Sequence, residues 1–357
     1  MTKIKLLFLA LIVSFNLVNA QAPATYYNSA NGLTGIPLQL ALHNIIKNHT
    51  AISYSGLWTA YQTTDKKANG KVWDMYSDVP GGTPPYEYTF GTDQCGNYSG
   101  EGSCYNREHS FPKSWFGDAS PMVSDLFHIV PTDGQVNGMR SNYPYGKVGT
   151  ASWTSQNGSK LGNCITPGYI LTVFEPIDEY KGDFARNYFY MAVRYYTEDT
   201  GWPGSDMVVG SQPRPWALAM LKQWDQQDPV SAKEISRNNA VYAIQHNRNP
   251  FIDHPEYVAA IWGSINTGIS DQYNQQVSVS VYPNPVGNAC QVDVAGLETE
   301  PNAVLIVYDI TGRQESIETN RSSAHYVLNT SMLAPGIHML CIRDASGRMM
   351  SHSRIVK

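Results

Sequence analysis

Residues 106–111 read NREHSF, and residues 124–142 read SDLFHIVPTDGQVNGMRSN. In the first stretch Glu108 stands directly before His109, with Arg107 ahead of both. The second is dense in polar residues yet also carries Leu126, Ile129, Val130 and Val136. An acid, a base and a carboxamide set among apolar positions have two readings. They are paired structural polars, or they hold a cation and activate a water. Residues 104–111 read as a strand ending at Pro112, and 132–141 as a short helix after Pro131. Adjacent strand residues point to opposite faces. Glu108 and His109 therefore share one site only where the strand ends, bulges or twists, and Pro112 favours an ending.

Working outward, residues 34–49 (TGIPLQLALHNIIKNH) read as a helix with Leu38, Leu42, Ile45 and Ile46 on one face. KVWDMY, 71–76, reads as a strand. Three more helices are expected at 182–197, 214–227 and 231–245, the last opened by a Ser231/Glu234 capping box. From residue 277 the pattern alternates and is rich in β-branched residues (VSVSVYP, ACQVDV, AVLIVYD, IHMLCIR), with turns at NPVGN, ITGR and APG. Short strands at regular spacing read as a small β-sandwich. The fold class is thus α+β, a mostly helical domain at 21–266, then a linker at 267–276 and an all-β sandwich at 277–357.

Twenty-three Tyr, eight Trp and a charged fraction of only 15% make a well-packed core available and argue against global disorder. The first twenty residues have Lys3 and Lys5, an apolar run from Leu6 to about Val13, and Ala20 at the end. That is the pattern of a secretory signal peptide, and the run is short for a membrane span of about 20 residues. No other segment is long and apolar enough to span. Export permits disulfides. Cys95 and Cys104, close together in a Gly-rich loop, are one expected pair, contributing roughly 2–3 kcal/mol on the chain-entropy estimate. Cys290 and Cys341 are a second candidate pair, leaving Cys164 as a free thiol.

The chain carries a net charge of −5. With the signal (+2) and tail (−1) set aside, the middle carries −6, so there is no global basic footprint for nucleic acid. Arg107, Lys113, Arg140 and Lys147 nevertheless cluster near the polar motif in sequence. HExxH, GxSxG and P-loop patterns are absent. The chemistry-bearing candidates are Glu108, His109, His128, Asn137, Arg140 and Asn142. Neutral imidazole is available as a base at pH 7, and Glu and Asn offer oxygen ligands that suit Mg²⁺ or Ca²⁺. That set fits a one-metal site for phosphodiester hydrolysis.

NREHSFPKSWFG followed by DLFHIVPTDGQVNGMRSNYPYG resembles the bacterial endonuclease I family of secreted nucleases, within the wider ββα-metal, or His-Me finger, group. KGDFARNYFYMAVRY and RNNAVYAIQHNRNPFIDHPEYV extend the resemblance over most of residues 30–262. It implies a ββα-metal motif with His109 as general base and Glu108 and Asn137 as metal ligands. Arg140 and Asn142 are assigned either to phosphate contact or to bracing the motif. It implies Mg²⁺, with Ca²⁺ or Mn²⁺ as alternatives, acting on the leaving 3′-oxygen to give 5′-phosphate products. DNA is the expected substrate, RNA a second one, and the chain is expected to act as a monomer. Two departures stand out. The family's phosphate-binding Arg has no counterpart here, and DLFH replaces a frequent DLHH, putting Phe127 at the first His and leaving His128 a structural role. VYPNP, LAPGIHMLCI and SHSRIVK resemble the sorting domain of proteins exported by the type IX system, implying contact with that machinery. The rival readings are a nuclease-like binder that does not cut, and an adhesin whose sandwich does the work.

Overall fold

The structure is a computed structural model describing residues 22–263, 278–296, 303–322, 324–343 and 349–357. The expected signal at 1–20 and linker at 267–276 lie outside the described residues. The N-terminal region begins with α1 (Gly35–Ile46) and α2 (Leu57–Thr64). An antiparallel pair, β1 (Tyr105–His109) and β2 (Ile129–Asp133), runs directly into α3 (Gly134–Arg140). A three-stranded sheet follows, β3 (Val148–Thr154), β4 (Lys160–Cys164) and β5 (Thr172–Glu175). Then come α4 (Lys181–Arg194), a two-stranded ribbon of β6 (Val208–Val209) and β7 (Gln212–Pro213), α5 (Pro215–Gln227), α6 (Ala232–Gln245), α7 (Pro250–Asp253) and α8 (Tyr257–Trp262).

Every residue of α4 is buried. A helix enclosed on all sides must satisfy its polar side chains internally. Arg186 is accordingly clamped by Glu234 at 2.5 Å and Asp225 at 2.8 Å, and Asp183 by Lys233 at 2.5 Å. Both partners Lys233 and Glu234 lie in the first turn of α6, whose start is fixed by the complete Ser231/Glu234 capping box. Residues of α4 also join β1, β2 and α1 in one aromatic-rich core.

KVWDMY is not a strand. Val72 makes one isolated bridge to Lys66, and the Asp74 carboxylate then accepts from the Tyr76 N–H at 2.7 Å, turning the chain. The β3–β5 sheet goes beyond the sequence reading. Its first strand is mostly exposed and its register shifts twice, so no alternating apolar pattern marks it.

The C-terminal region is all β. β8 (Ser278–Tyr282), β9 (Ala289–Ala295), β10 (Val304–Tyr308), β11 (Gln314–Glu315), β12 (Thr319–Ser322), β13 (His325–Asn329), β14 (Ile337–Arg343) and β15 (Met349–Val356) form two four-stranded sheets. Their orders are β11-β10-β14-β15 and β12-β13-β9-β8. Val292, Val294 and Leu328 of one sheet meet Leu340, Ile342 and Ile355 of the other in a single apolar core. Cys341 lies between Leu340 and Ile342 and so points the other way, where it joins Met339, Tyr308 and Tyr196 against Ile36 and Leu40 of α1. That orientation corrects the expected Cys290–Cys341 bridge. Cys290 faces the sandwich core, Cys341 faces α1, and both are free and buried. Cys95–Cys104 is bonded and Cys164 is free, as the sequence indicates.

Candidate active site

Asn106 and Glu108, two apart on β1, share the face that meets α3. Asn137 and Arg140, three apart on α3, share the facing side. Asn137 Nδ2 donates to Asn106 Oδ1 at 2.6 Å, and Arg140 Nη1 donates to Glu108 Oε1 at 2.8 Å. Tyr76 Oη also donates to Glu108 Oε1, at 3.0 Å. Glu108 is 1% exposed; burial raises its pKa above the usual carboxylate range while the Arg140 charge pulls it back. Arg140 also donates to the carbonyls of His109 at 2.7 Å and Ser110 at 2.6 Å, with its guanidinium 4.5 Å over the Tyr145 ring. Its side chain is wholly buried. Of the two roles expected of Arg140, phosphate contact and bracing of the motif, these bonds support the second. Its hydrogen bonds all turn inward, and it braces the end of β1 against α3.

His109 belongs to the other face of β1. Its ring lies 6.0 Å from Tyr54, 6.3 Å from Phe116 and 5.7 Å from His128. Nε2 lies 3.3 Å from the Val123 carbonyl, which can only accept, so the proton sits on Nε2 and Nδ1 keeps its lone pair. Burial, followed by the neighbouring His128, pushes the imidazole pKa down to about 3, so it is neutral at pH 7. His128 is also buried; its Nε2 donates to the Met122 carbonyl at 2.8 Å and its Nδ1 has no partner among the described residues. The strand alternation thus holds to the end of β1: Glu108, Asn137 and Arg140 form one cluster, and His109 stands across the strand from it.

Asp133 starts α3 by accepting from the Val136 N–H at 2.7 Å, and its other oxygen takes Tyr88 Oη at 2.5 Å and the Gly102 N–H at 2.7 Å. Gly102 lies in the loop closed by the Cys95–Cys104 disulfide. The same loop lays Tyr98 over α3, so that a Cβ at Gly138 would sit 2.0 Å from Tyr98 Oη. A side chain at Gly138 would therefore push the exposed Tyr98 ring off the helix.

The basic residues clustered in sequence do not form one basic surface. Arg140 is internal, Lys113 pairs with Asp118 at 2.6 Å, and Arg107 lies 3.7 Å over the Tyr54 ring. Asn142, expected near substrate, is exposed and lines a groove just beyond α3. Asn106 and Tyr76 were missed as site residues. For Asn106 the signal was available, since a period of two puts it on the face of Glu108.

Among the described residues no group of three or more His, Cys, Asp or Glu is placed to hold a metal. Two oxygens nevertheless remain. Glu108 Oε2 and Asn137 Oδ1 have no hydrogen-bond partner among the described residues, while their sister atoms are fixed by Arg140, Tyr76 and Asn106. Such a pair of hard oxygen donors fits Mg²⁺, which binds few protein ligands and keeps several waters.

Residues 34–256 match the family described as Endonuclease I, and residues 280–357 match the secretion system C-terminal sorting domain. The chain is similar to an extracellular ribonuclease of Bacillus amyloliquefaciens, 39% identical over 246 residues that span 67% of this chain and 78% of that protein. An extracellular ribonuclease of Bacillus subtilis (strain 168) is 36% identical over 69% of this chain and 84% of its own length. A periplasmic deoxyribonuclease of Aeromonas hydrophila is 28% identical over 37% of this chain and 48% of its own length. The chain belongs to the Endonuclease I family and is a nuclease. It is secreted or held at the cell surface, with a type IX sorting domain at its C-terminal end. No helix among the described residues is long and apolar enough to cross a membrane.

Proposed function

We propose that the protein is a metal-dependent, sequence-nonspecific endonuclease hydrolysing RNA as well as DNA, with His109 as general base and Glu108 and Asn137 as the ligands of one divalent cation. The observation that carries this is the set of unpartnered acceptor atoms around the end of β1: His109 Nδ1 on one face, Glu108 Oε2 and Asn137 Oδ1 on the other. In-line hydrolysis needs a base beside the attacking water and charge stabilisation beside the oxygen that leaves on the far side of phosphorus. Opposite faces of one strand end supply that division.

Neutral His109 takes a proton from water at Nδ1, oriented by the Nε2–H bond to Val123. The hydroxide oxygen bonds to phosphorus and the P–O3′ bond breaks, leaving a 5′-phosphate and a 3′-oxyanion that takes a proton from solvent to become the 3′-hydroxyl. Mg²⁺ is the expected cation, with Ca²⁺ or Mn²⁺ as alternatives; when bound it would neutralise charge on the phosphate and on the departing 3′-oxygen. Arg140 favours the charged form of Glu108 against the opposing effect of burial and aims its carboxylate, and Asn106 fixes which amide atom of Asn137 faces outward. RNA joins DNA as a substrate because the relatives matched over most of their length carry the name ribonuclease. Base readout plays no part in the chemistry, which needs only phosphate and sugar. A Sec-dependent route precedes sorting through the C-terminal domain.

The test is cleavage of plasmid DNA and of single-stranded RNA by the full chain, in Mg²⁺ and in EDTA, with Asn137→Ala alongside. The reading requires loss of cleavage in EDTA and a steep loss in the variant. RNA products must carry 5′-phosphates. A 2′,3′-cyclic phosphate made equally well in EDTA would show that the RNA's own 2′-hydroxyl is the nucleophile and sink the metal-site reading. Binding of both nucleic acids without product would favour the non-cutting rival.

A further inference from the structure

A groove of about 770 Å³ opens between the segment that leaves β1 (Ser114, Trp115) and the segment that leaves α3 (Asn142, Tyr143). It is within the size range of small-ligand sites. We propose that this groove is a subsite for one unstacked nucleobase of the bound strand. The proposal rests on the nuclease reading and extends it to how the strand is held.

Three observations carry it. First, the loop between β4 and β5 exposes apolar side chains at the groove's rim: Ile170 is 83% exposed and Leu171 56%, and Tyr143 across the groove is 39% exposed. Single exposed apolar residues need no explanation, but several converging on one groove do. Second, the loop is braced rather than loose. Tyr169 stacks on Trp216 with ring centroids 4.5 Å apart and planes within 6°, and its hydroxyl lies 3.3 Å from Asp206. Gly168, at φ +89°, brings the chain so close to Trp216 that a Cβ would lie 2.9 Å from it. Ile170 and Leu171 are thereby held out from a fixed base. Third, the lining has no Lys or Arg, and its one carboxylate, Asp206, already takes the Tyr169 hydroxyl. A phosphate would find no cation in this lining to offset its charge. A flat, neutral group bearing donors and acceptors does find partners, because Asn142 and Asn163 carry carboxamides and Ile170, Leu171 and Tyr143 supply apolar faces. The occupant is therefore a base, with its phosphates outside the groove.

The experiment measures kcat/KM of the full chain in Mg²⁺ on a single-stranded oligonucleotide. A matched series carries one abasic site, moved position by position relative to the cut. The expected result is one position where base removal lowers kcat/KM about tenfold, mainly through KM. Ile170→Ser combined with Leu171→Ser should bring the intact substrate down to the abasic value and leave the abasic one unchanged. If wild type cuts every member of the series equally, or if the double variant stays as sensitive to base loss as wild type, the subsite is wrong while the nuclease reading stands. If wild type cuts none of the substrates, the nuclease reading falls and the subsite with it.

Discussion

The two halves of the molecule are stabilised by different means. The N-terminal region threads charge through its interior: Glu108 with Arg140 at 2.8 Å, Asp65 with Arg237 at 2.8 Å, Asp183 with Lys233 at 2.5 Å, and Arg186 with Glu234 at 2.5 Å. In the C-terminal sandwich the buried polar residues among those described are Thr330 and His338, and the core is otherwise aliphatic, Tyr and Cys. An apolar core tolerates rearrangement as long as volume is kept. A paired ionic core does not, because losing one partner strands the other. The nuclease half therefore holds its active groups to a defined geometry, and the tail needs only to be a stable β unit.

This contrast can be broken at several points. Arg140→Ala leaves Glu108 buried and unpaired and should destabilise the N-terminal region by about 3–5 kcal/mol, measured by denaturant unfolding followed through its many Trp residues. If the loss is under about 1 kcal/mol, as for an exposed ion pair, the buried-pair account of the site is wrong. Leu340→Ala, in the sandwich core, should cost about 2–5 kcal/mol, but only in the unfolding of the tail, with cleavage rates unchanged. Asn106→Ala removes one hydrogen bond and should lower stability by only about 1 kcal/mol. It should nevertheless raise the Mg²⁺ concentration needed for half-maximal cleavage, because Asn137 is no longer oriented.

A smaller effect concerns protons. Burial holds His128 down to about 4 in the folded protein against an ordinary value of 6.5. The unfolded chain therefore binds a proton between those values that the folded one refuses, and stability from this group falls as pH drops from 6.5 to 4. Asp74, raised by burial to about 7 from 3.8, acts in the opposite sense, losing stability as pH rises through that window. The informative quantity is thus the stability gap between wild type and His128→Asn, which should narrow as pH falls from 6.5 to 4. A gap constant with pH would show that His128 titrates normally. Mild reduction, finally, should loosen the Cys95–Cys104 loop and leave the melting of the tail unchanged, since Cys290 and Cys341 are free.

What was legible in the sequence follows the same division. The tail's strands announce themselves because one face is apolar and the other wet, as in β9, where burial alternates residue by residue. β1, α3 and the helices α4 to α6 were legible from period, proline and capping signals. The β3–β5 sheet was not, because an exposed, bulged strand carries no apolar alternation. Neither was the choice between the two roles of Arg140, phosphate contact and bracing. An arginine at the end of a short helix ordinarily reaches solvent, and only the pairing of α3 with the Glu108 face of β1 turns it inward. Nor could the sequence show that Cys341 faces α1, since that depends on which face of β14 meets the other sheet.

The most direct test of the central claim is the single-turnover cleavage rate of His109→Ala in the full chain, in saturating Mg²⁺, with its melting temperature recorded beside it. A rate lower by about 10²–10⁴-fold is expected, in a protein that melts close to wild type. A folded His109→Ala protein that cuts at nearly the wild-type rate would contradict that claim.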